Sequence, residues 1–126
     1  MPHASKDDLP VERIEAYEGR MTQMGDYNLA FESMPADFPP HELFAGLPDD
    51  HCQCEHWGYV FKGAIKFTYV DGTEETFRAG DAYYVRPGHL PTVLEEYEGV
   101  EFSPKGEFDQ TMGQVAKNLE QLQQAS

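Results

Sequence analysis

The chain reads as an all-β protein closed by a single C-terminal α-helix. Between residues 56 and 102, short apolar and aromatic runs alternate with breaks rich in Gly, Asp and Pro. Their spacing, roughly 8–12 residues, is that of an antiparallel sandwich or barrel. Beyond Pro104 the period changes, and Phe108, Met112, Val115, Leu119 and Leu122 recur at helical spacing as one apolar stripe. An aromatic fraction of 13% suits the same β-dominated architecture, because aromatic side chains pack well on a pleated surface.

Residues 1–10 are polar and read as a tail. From Val11 to Met34 the pattern is strand-like but irregular, with 13–17 and 27–31 alternating around turn signals at Gly19 and Gly25-Asp26. Pro35, Pro39, Pro40 and Pro48 break regular structure from 35 to 50, where 42–47 can close one helical turn at Gly46. His56 to Phe61 is an apolar run that stops at Lys62-Gly63. Residues 64–70 then alternate, with Ile65, Phe67 and Tyr69 opposite Lys66 and Thr68. Asp71-Gly72 is a hairpin signal leading to a strand near 74–78, and Ala79-Gly80-Asp81 turns into 82–85. Residues 92–95 and 100–102 complete the strands, divided at Gly99. A helix follows over about 106–124, with Gln110, Gln114, Lys117, Gln121 and Gln123 on its wet side. Its apolar stripe suits packing on the barrel exterior or on a partner subunit.

A chain of 126 residues is expected to form a single domain, 1–126, with a core of its own. Its net charge of -14 repels phosphate backbones and anionic lipid, which argues against nucleic-acid and membrane-surface partners. No apolar run approaches the ~20 residues that span a bilayer. The N-terminal residues lack a basic-then-apolar signal pattern, so a cytoplasmic location with reduced thiols is expected. Cys52 and Cys54, two apart, are poorly placed to pair. On a strand their side chains point the same way, and closing so small a ring is strained.

Two segments concentrate the chemistry. Cys52-Gln53-Cys54-Glu55-His56 and Arg86-Pro87-Gly88-His89 hold both cysteines and two of the five histidines. Thiolate and imidazole are ligands that transition metals prefer. On an extended strand Cys52, Cys54 and His56 share one face, and His51, Gln53, Glu55 and Trp57 share the other. If the former face lines the barrel, the two thiols and His56 converge, and His89 approaches from the adjacent turn. That set favours Zn²⁺. A bulge would reverse the parity and bring in His51, with Asp49 or Asp50 as a carboxylate, and Fe²⁺, Mn²⁺ or Ni²⁺ would then suit better. The bland alternative is that the cysteines are small buried hydrophobes.

Around these ligands Tyr59, Tyr69 and Tyr83 are candidate substrate-binding phenols, and Arg86 is a candidate anchor for an anionic or oxygenated ligand. The acidic group Glu95, Glu96, Glu98 and Glu101 reads as a solvated rim.

At residues 45–104 the chain resembles the cupin family, whose two motifs, G-x5-H-x-H-x3,4-E-x6-G and G-x5-P-x-G-x2-H-x3-N, lie on strands of a double-stranded β-helix. Gly63 stands as the closing glycine of the first, and Gly80-Asp81 with Arg86-Pro87-Gly88 forms the frame of the second. The ligands depart from the pattern. His56 stands at the usual glutamate, Cys52 or His51 at the second histidine, and Pro91 at the second motif's histidine, with His89 two residues early. The segment from Cys52 to Gly63 is similar to the C-Q-x-x-H-x-G-Y-x-x-x-G of a group of small cupins, which also carry the P-G-H turn found at Pro87 to His89. The resemblance implies a jelly-roll barrel and, in small cupins, a homodimer that covers exposed strand edges. It also implies a small-molecule ligand and a divalent metal, in an oxygenase, an isomerase or a lyase. A metal-free, non-catalytic binding module is the alternative, and a purely structural or assembly protein is a third reading.

Overall fold

The computed structural model describes residues 3–14 and 16–125. Met1 and Pro2 of the expected tail, Glu15 of the first strand-like segment and the side chain of Gln123 lie outside the described residues. Seven strands run β1 (Glu12–Ile14), β2 (Tyr17–Met24), β3 (Tyr27–Met34), β4 (His56–Tyr69), β5 (Glu74–Arg78), β6 (Ala82–Val85) and β7 (His89–Pro104), followed by α1 (Lys105–Ala125). Every pairing is antiparallel, in the order β1-β2-β3-β7-β4-β5, with β6 also on β4. The result is an antiparallel β-barrel with one C-terminal helix. Among the described residues no helix is long and apolar enough to cross a membrane.

Where the sequence suggests two strands, the structure joins them, and glycine is the reason. Residues 56–61 and 64–70 are one strand, β4, bent at Gly63. There φ is +82°, and a Cβ would strike the main chain of Glu95 and Glu96. The pairing of β4 with β7 shifts register between Val60 and Ile65, which reverses the inward parity. His56 and Val60 point inward before the bulge, and Ile65, Phe67 and Tyr69 after it. Gly99 likewise does not end a strand: β7 passes through it, and the missing side chain makes room for the Tyr97 phenol. Gly19 does the same for Tyr17 inside β2, whereas Gly25-Asp26 is a true turn.

The barrel interior is filled by Val60, Ile65, Phe67, Val85, Val93 and Tyr97. Each such side chain contributes about 1.5–3 kcal/mol by leaving water. A second cluster, Leu43, Phe44, Cys52 and Cys54, sits at the barrel mouth under Phe108, Val115 and Leu119 of α1. The helix therefore covers the mouth of its own barrel rather than an outer wall. Its buried face is also rotated from the expected stripe: Thr111 and Asn118 point inward, while Leu122 is 40% exposed. Asn118 Nδ2 donates to the carbonyls of Leu43 and Ala45, at 2.8 and 2.7 Å. Leaving such carbonyls unpaired costs more than exposing part of a leucine, so the polar latch sets the helix rotation.

Candidate metal centre and its cavity

Three elements bring the ligand atoms together. Cys52 lies just before β4 and forms an isolated antiparallel bridge with His89, the first residue of β7. The Cys52 amide donates to the His89 carbonyl at 2.8 Å, and the Gly88 and His89 amides donate back to Cys52 O at 2.8 and 3.1 Å. Gly88, with φ +86°, makes the turn that allows this. His56 opens β4 on the same inward face. The outcome is a buried trio, Cys52, His56 and His89, whose candidate ligand atoms all lie within 4.8 Å of one another.

The imidazoles are oriented from behind. His89 Nδ1 lies 2.8 Å from the Arg86 carbonyl, which can only accept, so Nδ1 carries the proton and Nε2 is bare. His56 Nδ1 lies 2.7 Å from Ser103 Oγ and 3.5 Å from Glu101 Oε1. A proton on Nδ1 satisfies that carboxylate and leaves Nε2 bare, 3.9 Å from Cys52 Sγ. Burial lowers the His56 pKa to about 4. Burial, with His56 adding, lowers that of His89 to about 3. Both rings are therefore neutral with free lone pairs, the state a metal needs. Burial raises the Cys52 thiol to about 12, and a bound cation would reverse that by favouring the thiolate. Ligand atoms around a tetrahedral Zn²⁺ lie roughly 3.5 Å apart, close to the sulfur–nitrogen separation here. The donor set fits a borderline-soft divalent ion.

The other candidate residues are placed as follows. Cys54 is fully buried beside the trio, but its sulfur points to the Glu55 carbonyl at 3.5 Å. His51 turns away and bonds the Asp49 carbonyl at 2.6 Å. The β4 bulge falls after His56 rather than before it, so Cys52, Cys54 and His56 keep one face. Asp49 and Asp50 sit in a turn with φ of 56° at each, and Asp50 accepts from the Gly46 amide at 3.0 Å. Tyr59 stands outside the barrel, 41% exposed, against Phe61. Tyr69 bonds Glu75, and its ring carries the Arg86 guanidinium 3.6 Å from the centroid. Both Tyr69 and Arg86 border a shallow outer dish with Asp71 and Gly88. Tyr83 is buried and donates to Glu101 Oε2 at 2.6 Å.

Beside the trio is a cavity of about 160 Å³, walled by apolar residues such as Met34, Phe38, Ile65 and Phe67 and roofed by Phe108, Met112, Val115 and Leu119. Its far wall holds residues that the sequence pattern did not single out. Glu32 on β3 accepts from the Tyr17 hydroxyl at 2.8 Å. Glu101 on β7 faces inward, not onto a solvated rim, although Glu95 and Glu96 are exposed as expected. In register Glu32 pairs Gly99 and Glu101 pairs Ala30, so the two carboxyls are diagonal neighbours on adjacent strands. Burial, then the Glu101 charge, raises the Glu32 carboxyl to about 8. Burial raises Glu101 to about 7. The available signal was parity: Tyr97, Gly99, Glu101 and Ser103 alternate inward along β7. Apolar Val100 and Phe102 on the outer face masked it.

The sequence pattern described as Cupin domain matches residues 36–91. No curated protein matches the chain by sequence. Among solved structures, the polyketide cyclase RemF from Streptomyces resistomycificus is similar over 82% of this chain and 79% of that one, at 17% identity and a TM-score of 0.57. An RmlC-like cupin from Shewanella frigidimarina is similar over 80% and 88%, at 16% identity and 0.56. Fe(II)-HppE with an alternative substrate is similar over 82% and 60%, at 13% identity and 0.55. At such identities the likeness is one of fold. The antiparallel barrel and these structural likenesses show a cupin-type fold, within which residues 36–91 are similar to the Cupin domain.

Proposed function

We propose that this chain is a cupin that binds a small molecule next to a divalent metal held by Cys52, His56 and His89. The observation that carries the reading is two bare, neutral imidazole nitrogens and a thiol facing one another, buried, at the edge of an apolar cavity. The donor set ranks Zn²⁺ first, with Fe²⁺, Mn²⁺ or Ni²⁺ as alternatives. Three protein ligands leave a position for water or ligand, and an ion there would polarise an oxygen or nitrogen of the bound molecule. The remaining roles belong to the chain. Glu101 and Ser103 hold the His56 ring from behind, and the Arg86 carbonyl holds His89. Glu32 and Glu101, each paired with a tyrosine, are placed at the cavity wall to accept or deliver a proton. Helix α1 shields these groups from water. This arrangement suits isomerase, lyase or oxygenase chemistry on a compact ligand.

The apolar roof supplied by α1 favours a second reading, a metal-free binding module using the same cavity. Elemental analysis of untagged wild type and His56→Ala separates the two. About one equivalent of metal in wild type, lost in the variant, is the expected outcome. No metal in wild type, even after incubation with Zn²⁺, Fe²⁺, Mn²⁺ and Ni²⁺, would sink the metal reading.

A further inference from the structure

The charge lining the cavity is one-sided. Glu32 and Glu101 face it, and among the described residues no lysine or arginine does. The cation that the sequence offered as an anchor, Arg86, lies on the outside of the barrel with Asp71, 3.4 Å away. Burial holds Glu32 toward its protonated form, and a cation seated beside it would favour the carboxylate instead. Next to Glu32 is a second feature that favours positive charge. Tyr17, whose hydroxyl bonds Glu32, stacks on Phe38 with ring centroids 5.7 Å apart and planes 20° apart, and both rings border the cavity. Aromatic faces attract cations, and a carboxylate in an apolar site is stabilised by an ion pair.

We propose that the cavity takes a compact, largely apolar molecule bearing a protonated amine, its ammonium seated between the Glu32 carboxylate and the Tyr17–Phe38 rings. The inference rests on the cavity being the ligand site and is independent of whether the trio holds metal. It disfavours carboxylate and phosphate groups at the Glu32 end of the cavity, where among the described residues no cationic side chain lines the wall.

Benzylamine, benzyl alcohol and benzoate share one ring and differ in charge, and calorimetric titration of metal-stripped protein compares them. Benzylamine should bind at least about tenfold tighter than benzyl alcohol, with benzoate weaker than both. Glu32→Gln keeps the shape and the tyrosine bond but removes the charge. It should bring amine and alcohol to within about twofold of each other, with alcohol affinity retained as the sign of an intact cavity. Tyr17→Phe, which leaves the carboxyl, should keep the amine preference. Equal affinities in wild type, tightest binding of benzoate, a preference that survives Glu32→Gln, or no binding of any of the three would overturn the proposal. Because the protein is stripped, this result stands or falls separately from the metal count of wild type and His56→Ala.

Discussion

The two walls of the cavity are built from different distances along the chain. One wall, Cys52, His56 and His89, comes from two short segments that a single backbone bridge sets side by side. The other, Tyr17, Glu32 and Glu101, draws one residue each from β2, β3 and β7. The same desolvation acts on both with opposite sign: it pushes the imidazoles down and the carboxyls up, so each wall is held toward neutrality. A cavity can thus hold bases and acids side by side without stranding a full charge in either.

The sharpest way to break the comparison is to remove one member of each wall and count metal. His89→Ala deletes a proposed ligand and should weaken Zn²⁺ affinity by at least about 100-fold, measured by chelator competition. Glu101→Gln deletes only a group behind His56 and should cost about 10- to 100-fold. Equal losses would mean that Glu101 is itself a ligand and that the two walls are one site.

Acid and alkali should unpick the walls separately in metal-free protein. Glu32 and Glu101, raised to about 8 and about 7, titrate near pH 4.3 when unfolded. The folded state therefore holds the extra protons; that wall's contribution is complete below about pH 4 and is lost as pH rises through 7 to 8. His56 and His89, lowered to about 4 and about 3, titrate near 6.5 when unfolded. Their contribution is complete above about pH 6.5 and is lost as pH falls toward 4 and below. Urea denaturation of Glu32→Gln should flatten the alkaline decline by on the order of 1–3 kcal/mol while leaving the acid decline in place. An unchanged alkaline limb would show that Glu32 is not the group responsible.

The smallest effect belongs outside both walls. Arg86→Ala removes a half-exposed ion pair with Asp71 and a stack on Tyr69, and should change stability by less than about 1 kcal/mol. Metal content should not move. A loss of metal would mean that the Arg86 side chain, and not only its carbonyl under His89, positions that ring.

Much of the histidine wall was legible because its cues are local. Cysteine and histidine types, their two-residue alternation and the Pro-Gly turn before His89 all lie within a few positions of one another. Tyr59 was legible as a cavity residue only if the parity of β4 was misassigned; it shares the outward face with Trp57 and Phe61. The carboxylate wall was hidden for a different reason. Glu101 sits in a run of glutamates whose other members are solvated, and Glu32 lies in an irregular stretch with apolar neighbours on both faces. Neither has a partner within reach along the chain.

By itself the sequence determined the β-alternation, the switch to helical period after Pro104 and the single face shared by Cys52, Cys54 and His56, whose inward direction the structure decided. These follow from side-chain size and from geometry repeated every two or four residues. Only the tertiary structure decided that Glu32 and Glu101 meet, that Arg86 turns outward while His89 turns in, and that α1 closes the barrel through Asn118. Those outcomes depend on strand register, on a bulge at Gly63 and on satisfying carbonyls some 75 residues away in the chain. Such pairings are set by the packing of the whole barrel, not by any window of the sequence.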